Sequence, residues 1–199
     1  MPEYNSKDID YLLDVSSVLG RDFQARMKHF EEKAELLGFS KVIFSKVHSR
    51  SKNKFIEELD SYPKEKLNLQ IEGTITKKSL IGVYFFILED ESTINESTWS
   101  EFKSGKKISN FNKHGKDCQK ILYIGQRNSS VVSRLVNHTV KKSESTQSLA
   151  LYSPECPNFN YSITLYYQRM VEAPNTTSKI YCLLLETIAK ELFPTIIGQ

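Results

Sequence analysis

The sequence predicts an α+β fold: strand, strand, helix, strand, helix from residue 80 onward, behind a mainly helical N-terminal extension. Three observations predict it. Dense β-forming runs occupy 81–88 and 120–125, and a third spans 161–168; each has the length of a strand. Amphipathic helical patterns follow the second and third runs. The composition, 39% hydrophobic and 26% charged, is that of a globular domain able to bury a core.

Taken in order, residues 7–37 read as helical. Phe23, Met27, Phe30, Ala34 and Leu37 recur at four-three-four-three spacing, which gives one apolar face for a core or a partner, and Gly38 is a natural stop. Residues 41–47 read as a strand, 53–60 as a short helix ending before Pro63, and Leu67, Leu69 and Ile71 as a further alternating strand. This gives an extension over 1–75 and a main domain over 76–199. Between the first two strong runs, 89–119 is a polar insertion rich in Lys, Asn and Ser, with the single tryptophan, Trp99. Ser129 or Ser130 can cap a helix running to about Lys142, with Val131, Val132, Leu135 and Val136 as its buried side. Residues 143–158 form a loop with Pro154 and Pro157. The last helix, about 177–192, is ended by Pro194.

Several function classes are excluded at this level. No apolar run approaches the ~20 residues of a membrane span. The N-terminal residues lack a basic region followed by an apolar stretch, so no signal peptide is expected and a cytoplasmic protein is. Cys118, Cys156 and Cys182 are odd in number and far apart, which fits unpaired thiols better than a disulfide framework or a zinc ribbon. The net charge of +3 is small, but it is unevenly placed. Residues 85–100 hold Glu89, Asp90, Glu91 and Glu96 and no basic residue, whereas 101–145 hold eight lysines and two arginines against three acids. Such a basic stretch suits a polyanion or a solvated loop.

Three features carry chemistry. Tyr84 shares a strand face with Gly82 and Phe86, and Tyr123 is expected to share one with Ile121 and Gly125; pairing of the two strands as a hairpin brings the tyrosines together. Arg134 and His138 lie four apart on a helix, about 6 Å apart at Cβ, flanking the apolar stripe. One is a forked donor for phosphate oxygens and the other a proton carrier near neutral pH. Glu186 sits in an apolar helix, where a carboxylate needs a basic partner or a cleft and a metal ion.

Gly82-Val83-Tyr84, Tyr123-Ile124-Gly125, Arg134, His138, Glu186 and the Leu192-Phe193-Pro194 ending together resemble the GIY-YIG nuclease family, over about residues 80–199. The resemblance implies a small central antiparallel sheet flanked by helices. It also implies a Mg-dependent endonuclease acting on double-stranded DNA, with catalytic residues Tyr84, Tyr123, Arg134, His138 and Glu186. Glu186 would hold magnesium, with manganese as a substitute. Tyr84 or His138 would be the general base, which the sequence leaves open. The compact chain suits a restriction-type or phage-defence enzyme and is compatible with a homodimer. A silent nucleic-acid-binding module on the same fold and a protein-interaction domain are the alternatives. DNA contacts are expected from Lys103, Lys106, Lys107, Lys113, Lys116, Arg127, Lys141 and Lys142. Two departures stand out: 38 residues separate Tyr84 from Tyr123, and Gly198 stands twelve after Glu186, where many members carry asparagine. Lys120 is spaced to face away from Tyr123 and takes no role.

Overall fold

The computed structural model describes residues 22–48, 80–89, 93–104, 106–112, 120–139, 148–151, 153–169 and 176–198. Its elements are α1 (Phe23–Leu36), β1 (Ser40–His48), β2 (Leu80–Leu88), α2 (Glu96–Lys103), β3 (Asn110–Phe111), β4 (Ile121–Arg127), α3 (Val131–Thr139), β5 (Asn160–Arg169), α4 (Thr176–Leu192) and β6 (Ile197–Gly198). The expected helix at 53–60 and strand at 67–71 lie outside the described residues, as do residues 7–21 of the helix expected over 7–37; the described helix begins at Phe23.

The central sheet has the order β1-β5-β2-β4, and all three pairings are antiparallel. This is the small antiparallel sheet flanked by helices. β2 is an interior strand covered on both faces, which is why its sequence is an unbroken apolar run instead of an alternating one. A side chain at Gly82 would put its Cβ 2.2 Å from the carbonyl oxygen of Tyr166 on β5, so only glycine lets these strands meet there.

Each face of the sheet carries its own core. On one, Tyr84, Phe86, Leu122, Ile163 and Leu165 pack with α2 and α3 residues such as Trp99 and Leu135. On the other, Ile81, Val83, Phe85, Ile121 and Ile124 pack with α1 and α4. The apolar face read at 23–37 is a core face: Phe30 meets Phe85 edge to face at 5.0 Å, Tyr166 at 4.9 Å and Phe193 at 6.2 Å, each such contact stabilising by roughly 0.5–1.5 kcal/mol beyond its buried area. The Asp22 carboxylate caps this helix by accepting from the Gln24 amide at 2.9 Å. The segment expected as an extension thus supplies both a sheet strand, β1, and a helix of the core.

The polar insertion is folded over much of its length. Asn95 caps α2 through the Thr98 amide. Trp99 is buried, with its indole N–H donating to the Ser109 carbonyl at 2.9 Å. The chain then forms β3, which pairs antiparallel with β6. The Asn112 amide donates to the Ile196 carbonyl at 2.8 Å, and the Ile196 amide to the Ile121 carbonyl at 2.9 Å. The C-terminal segment is therefore tied to the insertion on one side and to β4 on the other.

One register expectation is corrected. A bulge leaves Leu122 unpaired between Ile121 and Tyr123, so Ile121 turns into the α1/α4 core while Tyr123 packs against the other one. Lys120 lies with its ammonium 5.6 Å over the Phe23 ring, away from Tyr123 as expected.

Candidate active site

β4 is an edge strand of the described sheet, and α3 and α4 lie on opposite faces beside it. Where the two helices reach this edge they leave a cleft of about 330 Å³. Tyr84 from β2, Tyr123 from β4, Arg134 from α3 and Glu186 from α4 all line it, joined by Lys190 and Asn112. Four of the five residues expected to be catalytic therefore converge from four different elements.

The strand register makes the first contact. Tyr84 is paired with Gly125 and Phe86 with Tyr123, which brings the two tyrosine rings to 6.2 Å between centroids. A Cβ at position 125 would lie 2.5 Å from the Tyr84 hydroxyl and 2.8 Å from the Tyr123 ring. Gly125 is thus the space into which the Tyr84 hydroxyl fits.

His138 is not the exposed flank of a helix that its spacing suggests. It is fully buried, because 148–151 closes over α3. The Leu149 amide donates to His138 Nδ1 at 3.0 Å, and the Leu151 amide donates to the His138 carbonyl at 2.9 Å. Ala150, between them, adopts a left-handed φ of 49°, a mildly strained conformation held by the two flanking bonds. The Nδ1 contact fixes the tautomer. A nitrogen that accepts carries no proton, so the proton of the neutral ring is on Nε2. Nε2 lies 3.0 Å from the Tyr84 hydroxyl oxygen, so His138 is the donor and Tyr84 the acceptor in that bond.

Electrostatics agree with this assignment. Burial and then the Arg134 charge hold the imidazole well below its usual pKa, which keeps it neutral. Burial raises the Tyr84 phenol, and Tyr123 and Glu186 raise it further; Arg134 opposes them through its charge and a hydrogen bond to the same hydroxyl. The Tyr84 oxygen thus has two donors already in place, His138 and Arg134.

Glu186 keeps 17% of its side chain exposed and pairs with Lys190 at 3.0 Å. Both arrangements that the sequence left open for this carboxylate, a basic partner and a cleft, occur together. The apolar helix around it is not covered on every side: Ile180 is 54% and Leu183 47% exposed, so α4 also shows apolar side chains to solvent. Among the described residues Glu186 is the single carboxylate lining the cleft, and no cluster of three His, Cys, Asp or Glu suited to a metal occurs. That donor set does not suit zinc. It fits magnesium, which takes one or two carboxylates and fills its remaining positions with water and substrate phosphate.

The expected DNA contacts divide. Arg127 is exposed at the end of β4 and lines the cleft. Lys103 bonds the Asn110 side chain. Lys106 pairs with Glu155, donates to the Phe102 carbonyl at 2.9 Å and lies 4.4 Å over the Phe102 ring; both lysines are folded back onto their own surroundings. Lys107 is exposed. Lys113, Lys116, Lys141 and Lys142 lie outside the described residues. Sequence reading missed Lys190 and did not place Asn112 in the cleft. Lys190 was signalled by its four-residue spacing from Glu186, whereas Asn112 reaches the cleft only through the nonlocal β3–β6 pairing. No helix of the described residues is long and apolar enough to cross a membrane. Set against known proteins, the chain matches no family profile, no curated protein and no solved structure.

Proposed function

We propose that this chain is a divalent-metal-dependent endonuclease of the GIY-YIG type that hydrolyses phosphodiester bonds in duplex DNA, in the manner of a restriction or phage-defence enzyme. The observation that supports it most is the convergence of Tyr84, Tyr123, Arg134 and Glu186 on one cleft, with His138 directly behind Tyr84.

In this reading Tyr84 is the general base. A phenolate oxygen has three lone pairs. His138 Nε2–H and Arg134 take two, and the third is left for the proton of an attacking water. That proton moves to Tyr84, the water oxygen forms a bond to phosphorus, and the phosphorus–oxygen bond to the leaving strand breaks. Arg134 offers its remaining donors to the phosphate as charge builds there, and Tyr123 orients the water or phosphate beside it. A magnesium or manganese ion held by Glu186 would neutralise phosphate charge and offset the small part that the Glu186 charge adds to burial in keeping the Tyr84 phenol protonated. His138 does not line the cleft, and its Nδ1 is occupied by the Leu149 amide, so it serves as the donor that holds and stabilises Tyr84.

Incubation of the protein with long duplex DNA tests the reading. Cleavage is expected with Mg²⁺ and none with EDTA, discrete bands indicating a specific site and a smear a nonspecific nuclease. DNA binding without cleavage under any divalent ion identifies a silent binding module instead. Within the nuclease reading, Gly125→Ala should push the Tyr84 ring off His138. An ångström of misplacement is enough to cost about 10²-fold in rate, so single-turnover cleavage should fall at least that far while circular dichroism stays near wild type. A fully active alanine variant means that the Tyr84 position is not critical.

A further inference from the structure

The cleft holds a cation that the mechanism leaves without a role. Lys190 is one helical turn beyond Glu186 on α4, and its ammonium sits 3.0 Å from Glu186 Oε1. Its side chain is 52% exposed and lines the same cleft as Tyr84 and Arg134. Since Glu186 is the only carboxylate among the described residues that line it, a bound divalent ion and Lys190 compete for one acceptor.

We propose that Lys190 exchanges partners: it is the counter-ion of Glu186 in the free protein and a ligand of a DNA phosphate once a divalent ion occupies Glu186. The inference rests on the nuclease reading. An ion pair four residues apart on a helix, with its lysine half exposed, is weak and opens readily. A lysine ammonium is a mobile point charge with three donors on a flexible stem, so it can swing without disturbing α4. A dication on Glu186 repels it, and the nearest anion available is the phosphate that Arg134 binds. Lys190 on α4 and Arg134 on α3 come from opposite faces of the sheet and flank the cleft at the β4 edge, so together they would grip that phosphate from two sides. Metal and DNA then favour each other's binding, since each removes the other's competitor.

The full-length chain and its Lys190→Met and Lys190→Arg variants test this without relying on catalysis. Calorimetry with Mn²⁺ and no DNA should show Lys190→Met binding the ion about fivefold more tightly, the scale of a lost surface ion pair. Duplex affinity is then measured against salt, once in EDTA and once in Ca²⁺ as a binding probe. In Ca²⁺ the slope of log affinity on log salt should be shallower in Lys190→Met by about 0.9, one phosphate contact, and unchanged in Lys190→Arg. In EDTA the two slopes should coincide, because Lys190 is then held by Glu186. Unchanged Mn²⁺ affinity together with coincident slopes in Ca²⁺ overturns the exchange and leaves Lys190 a surface pair. A slope loss equal in both conditions overturns it too, since the lysine would touch phosphate without metal. If wild type binds neither Mn²⁺ nor duplex, the nuclease reading itself fails and takes this inference with it.

Discussion

Tyr84→Phe should lose several orders of magnitude of single-turnover cleavage at every pH. General-base catalysis alone is worth about 10²–10⁴. The substitution removes one oxygen and keeps the ring that packs against Phe86 at 5.9 Å and Tyr123 at 6.2 Å, so the fold should survive. It leaves His138 Nε2–H and Arg134 without the acceptor they share. The pH profile of the wild type separates the two candidate bases. Burial pushes the Tyr84 phenol up, so the fraction ionised grows tenfold per pH unit below its pKa, and the rate should climb through neutral into alkaline pH. Burial pushes His138 the other way. A base with a lowered pKa is already unprotonated at neutral pH, and its profile would be flat there and fall only in acid. A flat neutral limb together with normal rates in Tyr84→Phe would end the tyrosine-base mechanism.

What the sequence could and could not express follows from the range of the forces involved. The strand at 81–88 was legible because an interior strand can carry apolar side chains on both faces, a run visible residue by residue, and the one at 161–168 because β-forming Tyr161, Ile163 and Leu165 alternate with Ser162 and Thr164. The last helix was legible because Pro194 sets one end of it. The position of Tyr84 and Tyr123 on one face was legible as a conditional, given pairing. The pairing itself skips Leu122, a bulge that one strand's alternation does not predict and that sends Ile121 to the opposite core. His138 looked like a helix flank because the segment that buries it, 148–151, is an irregular loop whose closure depends on Ala150 and two amide bonds. The insertion read as a polar segment for gripping DNA, or else a solvated loop, because its lysines and asparagines outnumber its anchors. Yet Trp99 and Phe102 stand three apart, on one side of a helix, and meet at 5.3 Å. That short apolar face was the available signal, and composition outweighed it.

Glu186→Gln should abolish cleavage while DNA binding persists, and it discriminates between two roles that act in opposite directions. The Glu186 charge helps keep the Tyr84 phenol protonated. Were that its main effect, replacing it with a neutral amide would ease ionisation of the base and speed the reaction. If Glu186 instead holds the divalent ion, the amide removes the one anionic ligand among the described residues that line the cleft. Charge stabilisation at the phosphate then goes with it, a loss of at least about 10²–10³. The metal role outweighs the gain at Tyr84, because an easier ionisation is of no use to a phosphate whose developing charge is left uncompensated. The variant is nearly isosteric and its side chain is partly exposed, so the thermal midpoint should move little. It also releases Lys190 from its ion pair. Duplex affinity measured in EDTA should therefore stay at the wild-type value or rise, since the carboxylate that repels phosphate and holds the lysine is gone. Cleavage within threefold of wild type would remove Glu186 from the metal site, and faster cleavage would assign it the opposite role, a brake on Tyr84.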